Sequence, residues 1–298
     1  MTPRDGDRPR GQLSLSRRTA LKGLAVAAAM LSPARGALAD RTVSLGLNPV
    51  FLDSDIELLA KLKRYLTERL GRPVELVKRR TYQEIDALLL SAQIDAAWIC
   101  DFPYVQFEDK LALIAVPLYQ GKPRYQTYII VNEASTAQAF DDLKGTTHAF
   151  SDPDSTSGYL VTRYLLAVRH TNPAQFFRDS FFTYGHRNVV RAVAMGLAES
   201  GSMDGYVWDV MRQREPELIN KTRVVYRTDE LGFPPVAGLT SMRESAIANG
   251  FASALLTMAD DPLGRQILSI LGLDGFTPGS PDLYGETRMM WHFVQGQA

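Results

Sequence analysis

The sequence predicts an α/β protein of two lobes flanking a cleft, and three observations predict it. Residues 41–99 run strand, helix, strand, helix, strand, the rhythm of a parallel sheet with crossover helices. A second series of the same kind runs from Tyr128 to Tyr226. The turn Gly232-Phe233-Pro234-Pro235 then breaks the chain ahead of a mostly helical tail. The expected first lobe is residues 41–127 with the tail, residues 233–298, and the second is residues 128–232. The crossings fall near Tyr128 and near Gly232.

The amino-terminal segment is a different material. Arg4, Arg8, Arg10, Arg17 and Arg18 precede the short apolar stretch Leu21 to Leu31, and Ala37-Leu38-Ala39 follows. A basic region, an apolar region and a small-x-small site make an export signal over residues 1–39. Ser16-Arg17-Arg18-Thr19-Ala20-Leu21-Lys22 looks like the twin-arginine motif, departing from it at Ala20. The mature chain is expected to begin near Asp40.

Arg41 to Leu47 alternates as a first strand, and Asn48-Pro49-Val50-Phe51 turns. A helix opening at Asp53-Ser54-Asp55 carries Ile56, Leu58, Leu59, Leu62, Leu66 and Leu70 at helical spacing. Gly71 and Pro73 stop it. Val74 to Val77, Tyr82 to Leu90 and Ile94 to Ile99 complete the first series. Trp98 and Cys100 read there as buried core. In the second series Tyr128 to Val131 and Thr147 to Phe150 are strands, and Asn188 to Leu197 is a helix. Asp204 to Trp208 and Val224 to Tyr226 are further strands. Ile94-Asp95-Ala96-Ala97-Trp98 loosely echoes Met203 to Trp208. In the tail Ile247, Phe251, Leu255, Leu256 and Met258 share one helix face.

Removing residues 1–39 leaves 26 basic and 31 acidic residues, a net charge of −5. That balance disfavours a nucleic-acid partner. Cys100 is the only cysteine, so neither an internal disulfide nor a cysteine-based metal cluster is expected. His148, His170 and His292 lack cluster spacing and read as structural or exposed. No metal and no cofactor is expected.

One stretch concentrates polar chemistry. Asp152-Pro153-Asp154-Ser155-Thr156-Ser157-Gly158-Tyr159 stands between a strand and the helix running on to Val168. Free N–H groups and the dipole at a helix start favour an anion. An ordinary N-cap uses the same residue types. One hydroxyl suffices for a cap, and three adjoin here. Gly158 admits close approach of a ligand or of neighbouring backbone.

With Asp142-Leu143-Lys144-Gly145 before this stretch and His186 ahead of the next helix, the chain resembles the phosphate/phosphite/phosphonate substrate-binding proteins of ABC transporters. Tyr82, Asp95 ahead of Trp98, and Tyr104 fit the first half of that pattern, and the resemblance covers about residues 42–275. It implies the two-lobed type II periplasmic binding protein fold with two hinge crossings. It also implies that Ser155, Thr156, Ser157 and His186 hold a phosphorus oxyanion while Tyr82 and Tyr104 close over it. Asp209 would meet an amino group on aminoalkyl ligands. Asp101-Phe102 stands where small residues are common in the family, so first-lobe contacts are expected to differ. The implied partners are the small oxyanion and an inner-membrane permease, with the protein itself a periplasmic monomer. Two other readings remain open here. The same fold could report its ligand to a signalling system. A hydrolase could be drawn with Ser155 or Ser157, His186 and Asp209 as a triad, but no Gly-x-Ser-x-Gly elbow supports it.

Overall fold

The computed structural model describes residues 41–48 and 56–297. The expected export signal and the helix start at Asp53 to Asp55 lie outside the described residues. The first sheet collects β1 (Val43–Leu47), β2 (Val74–Lys78), β3 (Ala96–Trp98) and β4 (Leu111–Leu118), and later β12 (Val236–Leu239) and β13 (Gly275–Thr277). Its order is β13-β4-β12-β3-β1-β2, with β2, β1 and β3 parallel and β12 antiparallel between β3 and β4. Between these strands run α1 (Ile56–Leu70), α2 (Tyr82–Leu90) and α3 (Asp101–Gln106). Leu58, Leu62, Tyr65 and Leu66 form the buried face of α1. Each such side chain contributes about 1.5–3 kcal/mol when fully withdrawn from water. Thr81 and Glu84 close a capping box that fixes where α2 begins, and so where Tyr82 stands.

The chain leaves this sheet through β5 (Arg124–Tyr125) and returns through β11 (Leu231–Gly232), which pair antiparallel. Between them lies the second sheet, of order β10-β6-β9-β7-β8. It contains β6 (Thr127–Asn132), β7 (Thr147–Phe150), β8 (Asp179–Phe182), β9 (Ser200–Asp204) and β10 (Thr222–Arg227). β8, β7 and β9 are parallel, and β6 runs antiparallel to β9 and β10. Its helices are α4 (Val161–Ala167), α5 (Pro173–Phe176), α6 (His186–Ala194), α7 (Gly205–Arg214) and α8 (Pro216–Ile219). The tail supplies α9 (Ala246–Leu256), α10 (Pro262–Leu271) and α11 (Gly285–Gln295). α11 lies against both halves: Trp291 meets Phe102 of α3 edge-on at 4.9 Å, and Phe293 meets Tyr164 of α4 at 5.4 Å.

The structure corrects one expected element. The strand expected over Asp204 to Trp208 is a strand end followed by a helix. β9 stops at Asp204, whose carboxylate caps α7 by accepting from the Tyr206 N–H at 2.8 Å. At Gly205 a Cβ would stand 2.7 Å from the Gln126 carbonyl, so the chain can turn there only without a side chain. Tyr206, Val207 and Trp208 are buried, but on a helix.

Candidate functional site

The first turn after Ser155 is wide. Thr156–Leu160 forms a single π-turn that runs into α4, with Ser155 as its N-cap accepting from the Gly158 N–H at 2.9 Å. Ser155, Thr156 and Ser157 are all buried. At Gly158 a Cβ would lie 1.7 Å from Ser151 Oγ, so this loop folds on itself only with glycine there.

His186, at the first position of α6, is buried beside them. Its Nδ1 accepts the Asp204 N–H at 3.1 Å, which leaves the ring proton on Nε2. Burial pushes its pKa down to about 3, so the imidazole is neutral and a donor through Nε2. Nε2 lies 3.3 Å from the hydroxyl of Tyr82, at the start of α2 in the other half. Burial, with Cys100, Asp152 and Asp204 nearby, holds the Tyr82 phenol well above its usual pKa, against a smaller lowering influence of Ser155. Residues from both sheets thus meet in one enclosed group of neutral donors.

Four residues join this group that are not among the expected site residues, although the sequence marks Asp101 as a departure from the family. Cys100 Sγ accepts the Thr156 N–H at 3.4 Å and lies 3.6 Å from its hydroxyl. Burial raises the thiol pKa well above its ordinary value, so the sulfur stays protonated. Asp101 is fully buried and accepts from Thr287 at 2.7 Å and from Tyr125 at 3.2 Å. Burial raises its pKa, against hydrogen bonds from Thr287, Thr156 and Cys100. Tyr125, in the crossing strand β5, also reaches Ser157. Asp204 has its pKa raised well above the usual range by burial, with Asp101 adding to the effect.

Two expected site residues stand elsewhere. The Tyr104 ring is 4.8 Å from Tyr284, in a separate apolar cluster, and the charges near it are Glu108, Arg288 and Arg243. Asp209, one turn into α7, accepts from the hydroxyls of Tyr119 and Tyr128, each at 3.1 Å, and lines a small polar pocket at the crossing. The acid at the end of that strand is Asp204. The triad drawn with Asp209 is not assembled, because His186 Nδ1 takes a backbone N–H. Among the described residues no group of histidine, cysteine and acidic side chains is arranged to hold a metal ion.

His148 shows what burial does away from this site. Its ring nitrogens lie 2.8 Å from Ser200 Oγ and 2.7 Å from Ser202 Oγ, and burial lowers its pKa to about 3. An unfolded histidine has pKa about 6.5, so below that the unfolded chain binds more protons than the folded one. Stability from His148 is therefore full above about pH 6.5 and is lost on acidification at up to about 1.4 kcal/mol per pH unit. His148→Gln is expected to flatten the decline in urea midpoint between about pH 6.5 and about pH 4 relative to the parent protein. Parallel declines would show that His148 is not held neutral.

Two sheets joined by paired crossing strands, with polar groups from both halves meeting between them, define a type II periplasmic binding protein. The model of the periplasmic substrate-binding proteins of phosphonate ABC transporters matches residues 45–284, and the chain belongs to that family. The phosphonates-binding periplasmic protein of Escherichia coli strain K12 is 22% identical over 261 residues, covering 84% of this chain and 76% of that one. Among solved structures, a binding protein component of an ABC phosphonate transporter from Pseudomonas aeruginosa superposes with TM-score 0.79 at 18% identity, covering 87% of this chain and 88% of that one. A Prochlorococcus marinus protein in complex with methylphosphonate superposes with TM-score 0.76 at 15% identity, over 85% of this chain and 98% of that one. No described helix is long and apolar enough to cross a membrane.

Proposed function

We propose that this protein captures a phosphorus oxyanion between its lobes and delivers it to the permease of an ABC importer. The observation that carries the reading is the convergence of Ser155, Thr156, Ser157 and His186 with Tyr82 from the opposite half, all buried and all neutral donors. Such donors hold an oxyanion without a counter-charge. The lobes in this reading are residues 41–127 with 233–298, and 128–232. Residues 1–39 export the chain, which sequencing of the amino terminus of periplasmic material tests: a chain still carrying Met1 refutes it.

Asp101 and Asp204 sharpen the choice of ligand. A phosphonate or phosphite monoanion keeps one P–OH that can donate to a carboxyl oxygen, whether the carboxyl is ionised or neutral, whereas a sulfonate has no such proton. A site built to accept a proton rejects an analogue that lacks it, because its buried acceptor is left unpaired. Calorimetric titration with methylphosphonate, phosphite, phosphate and methanesulfonate tests the proposal. The expected result is binding of at least one phosphorus oxyanion, with methanesulfonate weaker by about tenfold or more. Preference for the sulfonate, or no binding of any of the three phosphorus oxyanions, would overturn it.

A further inference from the structure

A second group of acids spans the seam between the two halves, next to the oxyanion site through the bond from the Tyr82 N–H to Asp152. Asp86, on α2, is 6% exposed, and neither of its carboxylate oxygens has a hydrogen-bond partner. Asp154 and Asp152, on the loop after β7 in the other half, are the charged groups that raise its pKa after burial. Asp152 accepts the Asp154 N–H at 2.9 Å and, across the seam, the Tyr82 N–H at 3.3 Å. Gln83, on α2, opposes the rise in the Asp154 pKa that burial causes.

The other charged groups around this seam are engaged elsewhere. Glu84, on the same helix, is tied back to the N–H groups of Arg80 and Thr81. The Arg79 guanidinium bonds the Lys78 carbonyl and acts on Glu84. Asp95, beside β3, accepts from Ser44. Among the described residues, no lysine, arginine or histidine contributes to the field at Asp86, Asp152 or Asp154.

An ionised carboxylate enclosed without a partner is costly, and like charges nearby add to that cost. Such a group takes a proton instead. With the lobes apart, α2 and the loop at Asp152 would each face water and ionise normally. We propose that closing the cleft draws a proton onto the seam formed by Asp86, Asp152 and Asp154, so that lower pH favours the closed, ligand-holding form. The inference rests on the lobe-closure reading given above.

The sign follows from the closed form. Burial, then Asp154 and Asp152, raise the Asp86 pKa well above the ordinary carboxylate value, and burial raises that of Asp152 to about 6. The closed form therefore binds more protons than the open form. Closure is favoured as pH falls and is lost as pH rises, through about 6 for Asp152, with the raised Asp86 carboxyl acting in the same direction. Each proton taken up can change affinity by up to about tenfold per pH unit.

Asp86→Asn keeps the shape and removes the Asp86 part of the titration, leaving that of Asp152. Two measurements on the mature protein test the proposal. Without ligand, small-angle scattering should show the parent protein becoming more compact from about pH 8 to about pH 5, while Asp86→Asn, which keeps only the Asp152 titration, changes less. With methylphosphonate, calorimetry in buffers of different ionisation enthalpy counts protons taken up on binding. The parent should take up about one more proton than Asp86→Asn, and the ligand's own titration cancels in that difference. Asp154→Asn, which leaves the Asp86 carboxyl in place, should shift both readings in the same direction by less. Equal proton uptake and parallel scattering profiles in all three folded proteins would overturn the proposal. If methylphosphonate fails to bind any of them, the ligand reading falls, and the scattering comparison still decides this one.

Discussion

Gly158→Ala is expected to lower affinity for methylphosphonate by about a hundredfold and to destabilise the protein by about 1–3 kcal/mol. The added methyl would lie 1.7 Å from Ser151 Oγ, 2.6 Å from Ser151 Cβ and 2.9 Å from Ser155 Oγ. Turning the Ser151 hydroxyl away relieves the first contact but leaves the second, since Cβ moves only with the backbone. Ser151 is fully buried and its N–H bonds the Gly158 carbonyl at 3.3 Å, so neither strand of the loop can shift alone. The displacement reaches Ser155, whose hydroxyl accepts from the N–H of this same glycine. Adding Ser151→Gly should restore part of the affinity by emptying the space the methyl needs. Titration and thermal melts of the single and double variants check both statements. Wild-type affinity in the single variant would show that the loop has room the geometry denies it.

Thr156→Val is expected to weaken methylphosphonate about ten- to a hundredfold, the equivalent of about 1.5–3 kcal/mol for a hydrogen bond to a charged group. Valine keeps the branched shape and the backbone N–H, so only the hydroxyl is lost. In the ligand-free protein that hydroxyl meets the Cys100 sulfur at 3.6 Å and helps hold Asp101. Melting temperature should change little compared with affinity. Phosphite and phosphate should weaken by similar factors, because the hydroxyl meets the oxyanion head they share. A variant that folds and binds all three as before would remove Thr156 from the site.

The part of the site that was legible in the sequence is the part made of neighbouring residues. Three hydroxyls before a helical period announce themselves locally, whereas His186 and Tyr82 are named through the family resemblance. Tyr82 is fixed by a capping box at the start of its helix. What stayed hidden depends on the chain returning. Tyr125 reaches Ser157 only because β5 runs in the crossing between the halves, and Thr287 reaches Asp101 only because α11 folds back. Tyr104 looks like Tyr82 in sequence, but its ring is met by Tyr284 from the tail.

The fold divides in the same way. The parallel strands carry the strand-helix rhythm and can be read directly. β12 comes from the distant tail and lies antiparallel between β3 and β4, so no local repeat announces its place. The strand ends at Asp204 rather than running on to Trp208 as expected, and the expectation failed for a specific reason. Tyr206-Val207-Trp208 has the aromatic and branched composition of a strand, and that outweighed the turn signal of Asp204-Gly205. The cap on Tyr206 and the close carbonyl behind Gly205 decide for the helix.

The neutrality of the donors has a consequence for the water the protein works in. Attraction between exposed charges fades over a Debye length of about 8 Å at physiological ionic strength and about 3 Å in molar salt. Hydroxyls, an uncharged imidazole and backbone N–H groups enclosed between the lobes act over a single bond length, where no counterion can intervene. The leading influences on Tyr82, Asp101, Tyr125 and Asp204 are burial, neighbouring acids and Cys100, and hydrogen bonds, with no lysine or arginine among them. Capture built in this way would proceed about as well in brine as in rainwater, a tolerance that a lysine- or arginine-lined cleft would not share.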